Sequence, residues 1–218
     1  MMLYANGCSF TYGTGLPLKD RAWPYVLAEK LKIDSVETDA QRGVSNNYIV
    51  RSTITNLCEQ ISAGNKIDFV AIGMTAPNRK EHFIEKKNLL VHNIPSHEYH
   101  GNINLDDKSN KDLTKFNNLY MQYFWSPLYD FHNYLIQVMQ LQNFFVANKL
   151  PYIIFNSLNL TPNLLEPTKF TELCEQSDMM PVYKQLDMNR IYENQTFFTY
   201  MYDLKKFYPV EGDERYMH

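Results

Sequence analysis

The stretch that decides the fold is Met1–Gly13, which reads MMLYANGCSFTYG. A short apolar run stops at Gly7, and Ser9 follows two residues later. Leu3–Asn6 therefore predicts the first β-strand, and the glycine-rich segment 7–15 predicts a turn. A small hydroxyl side chain directly after a strand has two interpretations. It closes a turn, or it is a nucleophile held at the carboxyl end of the strand.

The rest of the chain alternates apolar segments of helical and strand type. Ser45 is a natural helix N-cap and Gly64 a natural helix end. The predicted helices are Pro24–Leu31, Ser45–Ser62 and Ser126–Asn148, and the further predicted strands are Val36–Asp39, Ile67–Ile72 and Tyr152–Phe155. This alternation predicts a three-layer, flavodoxin-like α/β fold, with a parallel sheet covered by helices on both faces. We expect one domain over residues 1–218, with an insertion or lid at about 86–126, where no sustained period is visible.

Composition excludes several classes of protein. The chain has 218 residues and a net charge of −3, which argues against a nucleic-acid partner. No apolar run approaches the roughly 18 residues of a membrane span, and no signal peptide is visible. The three cysteines, Cys8, Cys58 and Cys174, form no disulfide or zinc pattern, which indicates a reducing compartment. We expect a cytoplasmic protein or one carried on a particle.

In a parallel sheet the functional crevice lies at the carboxyl ends of the strands. Ser9, Gly43, Gly73 and Asn156 would all meet there. A serine hydroxyl is a weak nucleophile until a base removes its proton, and the oxyanion that forms needs N–H donors. An esterase built on Ser9 therefore requires a histidine, an acid that orients it, and amides from neighbouring turns.

Four short blocks of this chain resemble those of the SGNH (GDSL-like) hydrolase family. NGCSFTYG is similar to the block that carries the nucleophile, and QRGVSNNYI to the block whose glycine donates to the oxyanion. AIGMTAPNR follows the third strand, and GDERYMH ends the chain with an acid and a histidine. The resemblance implies that Ser9 is the nucleophile, His218 the general base and Asp213 the residue that orients it. It implies that the N–H groups of Ser9 and Gly43 form the oxyanion hole.

The chain departs from the family pattern at three places. Cys8 stands where the family has aspartate, and Met74-Thr75 stands where the third block has asparagine and its neighbour. Asn78, or Asn46 or Asn47 in the second turn, are the alternatives for a side-chain donor, although none of them fits the family block; we expect Asn78 or Asn47 to be the third donor. The spacing of the closing acid and histidine is two residues longer than in the family.

We therefore expect a serine esterase or deacylase that removes acetyl or another small acyl group from a glycan or similar polar carrier, without a cofactor or metal. The alternative is a catalytically degenerate protein of the same fold that binds or assembles, as a homo-oligomer or in a virus particle. A nucleotide-binding module is disfavoured because no glycine-rich phosphate loop with a lysine is present.

Two further groups of charged or metal-ligating residues have ordinary interpretations. His92, His97 and His100 are spaced as in a loop, and no carboxylate or cysteine pattern completes a metal site. Arg79 and Glu81 follow the third strand and are expected to form local ion pairs.

Overall fold

Five parallel strands form the central sheet in the computed structural model, which describes residues 1–18, 20, 22–84, 89–93, 107–158, 170–176 and 178–192. The strands are β1 (Met2–Gly7), β2 (Ser35–Thr38), β3 (Phe69–Met74), β4 (Lys80–Ile84), β5 (Leu89–Asn93), β6 (Tyr152–Asn156) and β7 (Ile191–Tyr192). The helices are α1 (Ser9–Tyr12), α2 (Trp23–Leu31), α3 (Asn46–Ser62), α4 (Asp107–Tyr123), α5 (Pro127–Ala147), α6 (Phe170–Gln176) and α7 (Met180–Tyr183). The central sheet has the order β2-β1-β3-β6-β7, which is the flavodoxin-like order.

Helices cover both faces of this sheet, as the sequence predicts. On one face Leu3 of β1 and Ala71 of β3 pack with Ala28 of α2. On the other face Tyr4 of β1 and Ile72 of β3 pack in the larger core with residues of α3 and α5. The α/β class and the parallel sheet are thus confirmed. None of the described helices is long and apolar enough to cross a membrane.

The predicted helix starts are confirmed by their caps. The Ser45 hydroxyl accepts a hydrogen bond from the Tyr48 amide at 3.3 Å, and the Ser126 hydroxyl accepts one from the Tyr129 amide at 3.3 Å. Each bond satisfies an amide that has no partner within its helix. Local chemistry alone therefore fixes where α3 and α5 begin.

The third strand begins two residues later than Ile67, where the prediction places it. Ile67 is buried, but strand pairing starts where Phe69 lies opposite Leu3. The intervening Asp68 accepts a hydrogen bond from the Met2 amide through its carboxylate, at 2.7 Å. A residue can be buried without pairing in the sheet, and an apolar sequence pattern indicates only the burial.

The segment 86–126 contains more regular structure than its sequence pattern indicates. β4 pairs antiparallel with β5, and α4 follows. No sustained period is visible over α4 because charged and asparagine residues separate its apolar ones and only part of the helix is covered. Leu113 is buried, whereas Phe116 and Leu119 are exposed. The role of this segment as an insertion or lid stays a prediction.

Candidate functional site

The turns after β1, β2 and β3 meet at the carboxyl edge of the central sheet. β2 lies on one side of β1, and β3 and the later strands lie on the other side, so the order in which strands are added to the sheet reverses at β1. Ligand crevices of open α/β sheets lie at such a switch point. The Gln41 amide of the second turn donates to the Gly7 carbonyl of the first, at 3.3 Å. This bond brings the first two sequence blocks together.

Ser9 lies at this edge, one residue after the fully buried Cys8. It begins the short helix α1 and is half-buried. Its carbonyl accepts a hydrogen bond from the Thr14 amide at 2.9 Å. Its hydroxyl has no hydrogen-bond partner among the residues that the structure describes. The hydroxyl is thus not engaged by any described residue, while the backbone at Ser9 is held by the bond from Thr14.

The turn that carries Ser9 packs directly against the end of β3. A Cβ atom on Gly7 would lie 2.2 Å from Thr11 Oγ1 and 2.8 Å from the Gly73 carbonyl oxygen. A Cβ atom on Gly73 would lie 2.7 Å from Ser157 Oγ. Glycine is required at position 7, where one of these atoms belongs to the backbone, whereas a Cβ at position 73 would first require the Ser157 side chain to move. The two glycines allow the strand ends to come together beneath Ser9.

Asn6 fixes the backbone immediately before this turn. Its side chain is fully buried, and its Oδ1 accepts a hydrogen bond from the Gly7 amide at 2.7 Å. Its Nδ2 donates to Ser52 Oγ at 2.8 Å and to Thr53 Oγ1 at 2.9 Å, both on α3. Sequence analysis did not identify this role. The available signal was a polar side chain inside an apolar strand, since buried polar groups are almost always hydrogen-bonded.

Gly43 supplies the second turn. Its φ of 73° lies in the left-handed region, where a residue with a Cβ is strained. The neighbouring Arg42 guanidinium lies over the Tyr12 ring, 5.2 Å from its centroid, which holds this turn against α1. Within the described ranges, neither the Gly43 amide nor the Ser9 amide has a hydrogen-bond partner. Both amides are thus unengaged at the same edge of the sheet.

The three asparagines considered as side-chain donors have different environments. Asn46 is buried, donates from Nδ2 to the Thr75 carbonyl at 2.9 Å and accepts the Thr75 amide at 2.8 Å. It therefore joins α3 to the end of β3. Asn47 is exposed, and its Oδ1 accepts a hydrogen bond from Gln137. Asn78 is buried in the third turn, and its Oδ1 has no hydrogen-bond partner in the part of the chain described.

Replacing Asn46 by alanine is expected to destabilise the protein by about 2 kcal/mol, because it leaves the buried amide and carbonyl of Thr75 without partners. Asn47→Ala is the matched control and should change stability by less than about 0.5 kcal/mol, since Asn47 is exposed. Urea unfolding of the two variants measures the difference. Equal stabilities would show that the Asn46 bonds do not hold the turn.

Arg79 differs from its predicted role. It turns inward after Pro77, and its Nη1 is buried without a hydrogen-bond partner among the described residues. Burial lowers the pKa of its guanidinium, and the nearby Cys8 thiol acts in the opposite direction. Glu81 pairs with Arg51 of α3 at 3.2 Å. The expected local ion pairs were wrong, because the turn sends Arg79 into the fold and β4 places Glu81 beside α3.

Two cavities lie beside the second and third turns. The smaller has a volume of about 140 Å³ and is lined by Arg79, Lys80, Asn47 and Asn133, among others. The larger has a volume of about 550 Å³, and Asn47 lines it as well, so the two adjoin. Ser9 lines neither cavity. Cys8, the residue before Ser9, is close enough to Arg79 to act on the pKa of its guanidinium, and Arg79 lines the smaller cavity.

Lys80, which also lines the smaller cavity, forms a buried ion pair with Asp130 of α5. Burial raises the pKa of the Asp130 carboxyl, and Lys80 opposes that shift. The charge of Lys80 is therefore compensated inside the protein.

The predicted base His218 and its partner Asp213 lie outside the described residues, as do His97 and His100. Among the residues described, His82 and His132 form no hydrogen bond to Ser9. His82 lies edge-on to Phe116, and burial lowers its pKa. No three His, Cys, Asp or Glu side chains of the described ranges gather as a metal site would require.

Comparisons with known proteins give similar structures and a family. The chain is similar to the crystal structure of TesA, with 14% identity, a TM-score of 0.39, and coverage of 84% of this chain and 71% of that chain. It is similar to the psychrotrophic esterase EstA from Pseudoalteromonas sp., inhibited by monoethylphosphonate, with 13% identity, a TM-score of 0.40, and coverage of 94% and 97%. No curated protein matches. Residues 14–201 match the profile of a family of unknown function, DUF6071, and the chain therefore belongs to that family.

Proposed function

We propose that the protein is a serine esterase or deacylase of SGNH type, with Ser9 as its nucleophile. The observation that carries this proposal is the placement of an accessible Ser9 hydroxyl beside the second turn, with the unengaged amides of Ser9 and Gly43 at the same edge. Preorganised amides of this kind are worth about 10²–10³-fold in rate for each donor. The smaller cavity and its polar lining favour a small acyl group on a polar carrier, such as an acetylated glycan.

The proposed reaction begins when Ser9 Oγ attacks the ester carbonyl and its proton passes to the imidazole of His218. Asp213 orients that imidazole. The amides of Ser9 and Gly43 stabilise the oxyanion, and the side chain of Asn47 or Asn78 supplies a third donor. The carrier alcohol leaves with the proton from His218. Water then attacks the acyl-enzyme and gives a proton to His218. His218 returns that proton to Ser9 Oγ as the acyl–oxygen bond breaks, which releases the carboxylic acid and regenerates the Ser9 hydroxyl.

A second candidate function is a degenerate binding or structural protein that retains this fold. Exposed apolar side chains at the end of α4 and just after it favour this candidate, because such a patch is typical of an interface. They are Phe116, Leu119, Tyr123 and Phe124. This candidate predicts self-association by light scattering without ester turnover.

The test is the rate of acetate release from acetylated oligosaccharides and from p-nitrophenyl acetate by the full chain. Saturable turnover supports the esterase. A folded protein without turnover would contradict it, and self-association of that protein would favour the binding function.

A further inference from the structure

Arg79 is a partly buried cation whose Nη1 atom is shielded from solvent. A guanidinium keeps its proton in proteins, so it does not relieve its burial by becoming neutral. Its Nη1 has no hydrogen-bond partner within the described residues. Buried charges are normally paired, because removing an isolated charge from water is strongly unfavourable. The smaller cavity is the place from which an anion would reach it.

The described neighbours do not neutralise Arg79. Lys80 is paired with Asp130, and the acid nearest in sequence, Glu81, is paired with Arg51. Among the described residues that line the cavity, Arg79 therefore carries a positive charge without a paired acid. The single negative charge of a carboxylate balances the charge of Arg79, and its two oxygens can accept two parallel N–H bonds from the guanidinium. A phosphate monoester with close to two negative charges would leave an excess negative charge.

The cavity has a suitable size for such a group. Its volume of about 140 Å³ is several times the ~30 Å³ of one water molecule in the liquid, which suits a carboxylate and the edge of a ring. Asn133 and Gln137, one turn apart on α5, line it with side-chain amides. Gln137 Nε2 donates one N–H to Asn47, which leaves its second N–H and the Asn133 amide to donate to carboxylate oxygens. The adjoining cavity of about 550 Å³ has room for the rest of the carrier.

We infer that Arg79 binds the carboxylate of an acidic carrier, such as a uronic acid unit of a glycan, and holds the acyl ester of that carrier at Ser9. This inference rests on the proposed function and narrows its substrate class. Arg79 is then a substrate-binding residue, and its unpaired charge in the free protein is the consequence of that role.

The test is isothermal titration of the full chain at constant ionic strength with galacturonate, with neutral galactose, and with inorganic phosphate. We expect galacturonate to bind with a Kd of about 1 mM or tighter and galactose to bind more weakly. Arg79→Gln should weaken galacturonate binding about tenfold or more and leave galactose unchanged. The control variant is Lys66→Gln, whose exposed charge lies before β3 at the opposite edge, and it should bind like the parent.

Stability provides a second readout. Because Arg79→Gln removes an unpaired buried charge, we expect its Tm without ligand to equal or exceed that of the parent, by up to about 2–4 °C. No galacturonate binding by the folded parent at about 10 mM, or equal binding by parent and Arg79→Gln, would overturn the inference. Tighter binding of phosphate than of galacturonate would overturn the carboxylate assignment.

The result of this binding test can be distinguished from the result of the turnover test of the proposed function. A Ser9→Ala variant should still bind galacturonate, because Ser9 does not line the cavity. Binding without any ester turnover would refute the esterase alone. Turnover that does not discriminate acidic from neutral carriers would refute the role of Arg79 alone.

Discussion

Ser9→Ala is expected to lower ester turnover by a factor of about 10⁴ or more, with little change in stability. The large factor follows because no acyl-enzyme forms without the hydroxyl, and only the amide donors and substrate binding would remain. The hydroxyl makes no hydrogen bond to any residue that the structure describes, so its removal leaves the fold without a lost contact. The kcat of the parent and the variant on the same ester measures the effect.

Ser35→Ala is the matched control for that experiment. Ser35 is an exposed serine at the amino end of β2, on the opposite edge of the sheet, and its hydroxyl donates to the Met1 carbonyl at 3.1 Å. The ester turnover of the Ser35→Ala variant should equal that of the parent. Turnover by Ser9→Ala within a few-fold of the parent would remove Ser9 from the chemistry.

Gly7→Ala is expected to destabilise the protein by about 3 kcal/mol or more. The new methyl group would meet Thr11 Oγ1 at 2.2 Å and the Gly73 carbonyl at 2.8 Å. The second of these atoms belongs to the backbone of the neighbouring strand, so it does not move aside as a flexible side chain would. Relief requires β1 and β3 to separate where they pair. Urea denaturation gives the free energy of unfolding.

Gly64→Ala is the comparison for Gly7→Ala. Gly64 has a φ of 74°, and a Cβ there has no atom within 4 Å. Its substitution should cost about 1–2 kcal/mol, from backbone strain alone. The difference between the two variants isolates the steric contact beneath Ser9. A Gly7→Ala variant as stable as Gly64→Ala would show that the strand ends do not pack as tightly as described.

The sheet and its main helices could be predicted because their signals are local. Strands buried on both faces are continuous apolar runs, as in Val70–Ile72, and the caps Ser45 and Ser126 mark their helices within four residues. The rules of parallel connections restrict the strand orders to a few, and the observed flavodoxin-like order is one of them. The convergence of Gly7, Gly43 and Gly73 at one edge then required no further information.

The residues that the sequence did not reveal depend on contacts distant in the chain. Asn46 and Asn47 are adjacent and chemically identical, yet only Asn46 reaches the Thr75 backbone. In the sequence Arg79 looks like any charged residue that follows a strand, and its partial burial depends on residues distant in the chain, such as those of α5 that line the same cavity. The roles of Asp213 and His218 remain predictions from the resemblance.

Labelling of the full chain with a fluorophosphonate, read as intact mass and then by peptide mapping, shows whether Ser9 is an activated nucleophile. We expect one adduct, located on Ser9, that is present in Ser35→Ala and absent from Ser9→Ala. A folded protein that takes up no label, or that takes it up at a residue other than Ser9, would show that Ser9 is not the nucleophile.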